Sequence, residues 1–121
     1  MILVDTSVWI AHFRQGVPSL QKLLLDGEVL GHPFVVGEVS CGHLRNRLEI
    51  LNLLRSLPQA RVADENEVMH LVHHRRLMGR GIGWIDAHLL ASAVLTHVPL
   101  WTFDKALSSA AKDLHLTFHP S

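Results

Sequence analysis

Two stretches at opposite ends of the chain share one grammar. Ile2-Leu3-Val4 runs straight into Asp5, and Leu100-Trp101-Thr102-Phe103 runs into Asp104. A short apolar run with no alternation is what a central parallel strand, covered on both faces, requires. An acid at the carboxyl end of such a strand stands where open α/β sheets bind their ligands. The rest of the chain alternates in the same way. Further short strands are expected at Val29-Leu30, near Arg61-Val62 and at Leu116-Thr117-Phe118. Helical spacing is expected over residues 7–13, from Pro18 with Leu20, Leu23 and Leu24 on one face, and from Pro33 through FVVGEVSCGHL. It continues through Leu44, Leu48, Leu51 and Leu54 until Pro58, from ADENEV with Val68, Leu71 and Val72 inward, in the apolar run after Ile85, and in KALSSAAKDL. The pattern predicts an α/β fold, a three-layer α/β/α domain with a mainly parallel central sheet, as a single domain over residues 1–121.

Composition narrows the function classes. With 121 residues, 48% apolar and 18% charged, the chain has the make-up of a globular domain. The apolar run at residues 2–4 is cut by Asp5, so it reads as neither a signal peptide nor a membrane span, and a cytoplasmic protein with no membrane partner is expected. The one cysteine, Cys41, is expected to be a buried small hydrophobe. Eleven basic residues balance eleven acidic ones. If four acids were committed to a cation, seven would remain against eleven basic groups, and the outer surface could meet phosphate.

Two more acids sit in apolar surroundings: Glu38 in FVVGEVSCG and Asp86 in GWIDAHLLASAVL. An ionised carboxylate there is costly unless paired, and four together repel one another unless a cation holds them. An all-carboxylate set favours a hard divalent ion, Mg²⁺ with Mn²⁺ as the other choice, and such ions suit phosphoryl chemistry. Helix capping is the plainer reading of Asp5, Asp86 and Asp104, each of which precedes or opens a helical segment. It does not account for Glu38, since glutamate is a poor cap.

In this order, Asp5, Glu38, Asp86 and Asp104 resemble the acidic quartet of the PIN-domain nucleases. The strings VDTSVWI, VVGEV, GWIDAHLLASA and LWTFDK are similar in particular to the VapC-type toxins of bacterial and archaeal toxin-antitoxin pairs. The resemblance implies a toxin that is a metal-dependent endoribonuclease, hydrolysing RNA by metal-activated water. Its partners would be the RNA substrate and a cognate antitoxin protein covering the active-site groove. It implies Asp5 and Asp86 as the main Mg²⁺ ligands, with Asp104 and Glu38 completing the site. It also implies a homodimer within a toxin-antitoxin hetero-oligomer, for which the apolar residues of helices 18–25 or 44–57 could supply the surface.

Ser7 and Thr102 match small hydroxyl positions beside the acids, while Thr6 reads as a side chain that points away. Arg75, Arg76 and Arg80 precede Asp86 and Lys105 follows Asp104, so these four could position an RNA backbone or form an ordinary solvated face. His70 and His74 share a helical face at a spacing that could bind a transition metal, with exposed histidines the plainer reading. Trp9, Trp84 and Trp101 read as core or dimer surface rather than base-stacking groups. A phosphatase with an aspartyl nucleophile on the first strand would want a second Asp two residues later, where Ser7 stands. The remaining rival is a catalytically silent PIN-like module that acts only through a bound antitoxin or other partner.

Overall fold

The computed structural model describes residues 1–120 and has a three-layer α/β/α architecture. β1 (Ile2–Val4) is the central strand. β2 (Val29–Leu30) pairs parallel on one side with Ile2 opposite Val29, and β3 (Leu100–Trp101) on the other with Val4 opposite Trp101. Single parallel bridges extend this sheet outward, from Gly31 to Gln59 and from Leu100 to Thr117. The brief strand expected near Arg61 is therefore one bridge two residues earlier, and the strand expected at LTF is one bridge at Thr117. All three residues of β1 are buried, as a strand covered on both faces demands.

The helices are α1 (Thr6–Gln15), α2 (Pro18–Leu25), α3 (Pro33–Ser40), α4 (Arg47–Ser56), α5 (Glu65–His74), α6 (Trp84–Thr96) and α7 (Lys105–Asp113). Proline opens α2 and α3, where its missing N–H costs nothing. Helix α3 stops four residues short of Leu44, because the chain turns at Cys41 and Gly42 and then takes a left-handed conformation at Asn46 before α4. Two expectations are corrected by that break. Cys41 lies beyond the last turn of α3 and is exposed, and Leu48 stands in solvent while Leu51 and Leu54 are buried in the core and Leu44 packs against it.

Leu3, Val4, Val8, Trp9, Leu20, Leu89, Leu90, Leu100 and Leu107 form the centre of the main core around the sheet. Helix α6 runs through it, burying every residue from Ala87 to Ala93. Its small residues Ala87 and Ala91 face Ala63 and Val68, so α5 and the loop before it close tightly on its other side. Helices α3 and α6 are joined by His32 Nε2 and Ser92 Oγ at 2.9 Å, in a fully buried contact. His32 Nδ1 accepts from Phe34 N–H at 3.0 Å, capping α3 with the same ring. Burial, helped by nearby His88, lowers the His32 imidazole to about 4, so it stays neutral in the folded protein near pH 7. Between α5 and α6 the chain reverses through Gly79 and Gly81, both at positive φ, and this turn presents the start of α6 to the sheet edge. Among the described residues, no helix is long and apolar enough to cross a membrane.

Candidate functional site

The parallel pairing of β1 with β3 puts Asp5 and Asp104 at one edge of the sheet. Asp5 is 5% exposed, and its backbone N–H donates to Trp101 O at 2.9 Å, the last bond of the ladder. Its side chain caps α1 and is gripped on a single oxygen. Oδ2 accepts from Ser7 Oγ at 2.6 Å, from Thr102 Oγ1 at 2.8 Å and from Ser7 N–H at 3.3 Å. Each hydroxyl is itself fed by a backbone donor: Phe103 N–H reaches Ser7 Oγ and Asp104 N–H reaches Thr102 Oγ1, both at 3.0 Å. Two N–H groups of the strand end are thus relayed through two hydroxyls onto one carboxylate oxygen. Asp5 Oδ1 carries no hydrogen bond among the described residues.

The other acids repeat the division on a looser scale. Asp104 is exposed and caps α7 through Oδ1, which accepts from Leu107 N–H at 2.8 Å. Asp86, on the first turn of α6, accepts from Gly83 N–H at 3.1 Å through Oδ2. Glu38, on α3, accepts from Thr6 Oγ1 at 2.7 Å through Oε1. In each case one oxygen is occupied and its twin has no hydrogen bond among the described residues. Partial burial raises the Asp86 carboxyl above the ordinary aspartate value, and the charges of Asp5 and Asp104 push it the same way against the Gly83 hydrogen bond. The three aspartates are therefore within electrostatic reach of one another, and Glu38 joins them through Thr6, the neighbour of Asp5.

The capping and ligand readings are compatible at this site, because a cap uses one carboxylate oxygen and a metal needs only one. Among the described residues, no three His, Cys, Asp or Glu side chains stand in positions that enclose an ion. The donor set nonetheless suits a hard divalent cation, with unengaged carboxylate oxygens, mutual repulsion around Asp86, and no sulfur or imidazole in the group.

Thr6 was missed from sequence, where it reads as pointing away; it orients Glu38. Position Asp5+1 on a helix facing α3 is the signal that could have found it. Ser7 and Thr102 stand beside Asp5 as the strings suggested. The basic residues divide. Arg80 pairs with Asp113 at 2.7 Å and donates to Ser109, and Arg75 donates to Asp113 O, so both grip the end of α7 opposite to Asp104. Lys105 and Arg76 are exposed, Lys105 directly beside Asp104. The His70 and His74 rings lie nearly parallel, 5.4 Å apart, so their nitrogens do not converge on one ligand position. Trp9 and Trp101 are buried core residues, and Trp84 is exposed.

Comparison with known proteins decides the family. A PIN domain model matches residues 2–113. The chain belongs to the PIN-domain family. Within it, the chain is 46% identical over 114 residues to two relatives named Ribonuclease VapC32, from the CDC 1551 / Oshkosh and the ATCC 25618 / H37Rv strains of Mycobacterium tuberculosis. Each alignment covers 93% of this chain and 92% of the relative, so this PIN domain is of the VapC type from end to end of the match. All four acids lie inside the matched PIN region.

Proposed function

We propose that this PIN domain is the toxic component of a toxin-antitoxin module, an endoribonuclease whose Asp5, Glu38, Asp86 and Asp104 form one four-carboxylate site for Mg²⁺. The chain is a nuclease of the hydrolase class, and RNA is its substrate. The observation that carries the finer reading is the grip on Asp5: three donors fix Oδ2 and leave Oδ1 unbonded at the sheet edge. Asp5 and Asp86 would be the principal ligands, with Asp104 and Glu38 completing the set, and Mn²⁺ would serve in the same place. When bound, such an ion polarises a phosphodiester and lowers the pKa of an attacking water.

The residues have separate tasks. Ser7 and Thr102 hold Asp5 in one rotamer, so its orientation costs no entropy when substrate arrives. Thr6 holds Glu38 toward the same edge. Asp86, disfavoured as an anion by burial and its two neighbours, gains most from a cation. Lys105 is free to meet a phosphate of the RNA, and Arg76 to meet one further along. Arg75 and Arg80 are assigned to holding α7 in place rather than to RNA.

The same reading gives the protein a cognate antitoxin and a cytoplasmic place of action, as one domain. It also makes it a homodimer inside a toxin-antitoxin assembly, with Leu25 on α2 and Leu48 on α4 exposed to provide apolar contact. The test maps cut ends on total RNA with Mg²⁺, using the wild type and Asp5→Asn. Discrete ends should appear with the wild type and fall at least about a hundredfold in the variant. Identical patterns from both proteins would overturn the catalytic assignment, and absence of cutting by the wild type would leave the silent-module reading in its place.

A further inference from the structure

The chain has three tryptophans and four phenylalanines, and only Trp84 and Phe103 are exposed, at 44% and 52%. Both stand beside site acids. Trp84 opens α6 two residues before Asp86, and Phe103 directly precedes Asp104 with its N–H held by Ser7 Oγ. Leaving large aromatic rings in water forfeits burial energy, so their coincidence with the acids asks for an occupant.

Both rings are also fixed from behind. Trp84 meets His88 edge-on at 4.8 Å and 86°, and His88 packs at 4.4 Å on Phe34. His88 is 5% exposed and its Nδ1 has no partner among the described residues, so its ring serves as a packing surface at the cost of an unmade hydrogen bond. Phe103 meets Trp101 edge-on at 5.8 Å and 85°, and Trp101 is core. A propped, exposed ring loses little freedom when a flat partner lands on it. Nucleobases offer such a face only when they are unpaired, since in a duplex they are already stacked. Trp84 and Asp86 project from different sides of α6, so the base on Trp84 belongs to a neighbouring nucleotide rather than to the one at the cut.

We propose that Trp84 and Phe103 are stacking platforms for unpaired bases of the RNA whose phosphate meets the acids. This rests on the ribonuclease reading for its substrate, but it is tested separately. Trp9 and Trp101 are buried, so quenching of tryptophan emission by an added oligonucleotide reports on Trp84.

In Asp5→Asn with EDTA present, a short single-stranded RNA should quench that emission. The same sequence in a duplex should not, and Trp84→Phe should abolish the response. In the active protein with Mg²⁺, Trp84→Ala and Phe103→Ala should each raise KM about tenfold with kcat within about twofold. Trp84→Phe, which keeps a ring and leaves the core untouched, should recover most of the KM. Quenching that survives in Trp84→Phe, equal quenching by duplex, or unchanged KM in both alanine variants overturns the proposal. So does quenching by an antitoxin peptide alone, which makes the rings a protein-binding surface. Cleavage without quenching removes the platforms and leaves the ribonuclease, whereas quenching without cleavage by the wild type does the reverse.

Discussion

Asp5 and Asp86 carry the same charge at the same edge of the sheet, yet one ends a strand and the other begins a helix. Asp5 is held by three donors on one oxygen, two of them hydroxyls fed by backbone N–H groups. Asp86 has one backbone donor and two repelling neighbours. Its partner on the helix side, Glu38, likewise hangs on one hydroxyl. The strand half of the site is thus set by covalent proximity and the sheet ladder, while the helix half is set by how α3 and α6 pack. The buried His32 and Ser92 bond is the direct polar link between those two helices.

The comparison breaks most sharply if the strand half loses its braces. The double variant Ser7→Ala, Thr102→Val leaves Asp5 buried without its two hydroxyl donors, and should lower unfolding free energy by about 2 to 4 kcal/mol, read by denaturant titration. RNA cleavage measured alongside should fall by more than tenfold.

Acid should act on the helix half instead. The His32 value is lowered from 6.5 to about 4, so the unfolded chain takes up a proton there before the folded one does. The stability that neutral His32 contributes is present above pH 6.5 and is lost as the pH falls toward about 4. Thermal melts across this window should show a decline that is shallower in His32→Gln, and parallel curves for the two proteins would contradict the assignment.

The smallest effect carries the opposite sign. A raised Asp86 carboxyl means that the stability of its protonated form is present below about 3.8 and is lost as pH rises through the raised value. Near pH 7 in chelator, Asp86→Asn should melt slightly higher than the wild type, on the order of 1 kcal/mol or less. The gap should close as the pH is lowered toward 4, and added Mg²⁺ should reverse it by stabilising only the wild type. A lower melting point for Asp86→Asn in chelator would show that the carboxylate is well paired without a cation.

Much of this was legible in the residues because the informative elements are short and local. An apolar triplet ending in Asp specifies both a buried strand and where its acid emerges, so Asp5 and Asp104 could be placed without the fold. Glu38 was legible from its valine neighbours. The helix expected over residues 33–44 is longer than α3 because FVVGEVSCGHL keeps its apolar character past Ser40, and only the backbone turn through Cys41 and Asn46 ends it. Arg75 and Arg80 show a different limit. Proximity in sequence to Asp86 says nothing about α7 passing on the other side, where Asp113 takes both. Thr6 and the exposure of Trp84 depend on which way one helix face turns, which local pattern does not fix.

The relay onto Asp5 also has a meaning in time. Thr102 stands 97 positions after the carboxylate that it holds. During synthesis the first acid of the site emerges early, but its brace, the strand that carries the brace, and Asp104 arrive only when most of the chain has been made. A nascent or prematurely terminated copy therefore has an N-terminal strand with no neighbour at Trp101 and an unclamped Asp5. The site is therefore complete only once Thr102 and Asp104 have joined the strand that carries Asp5.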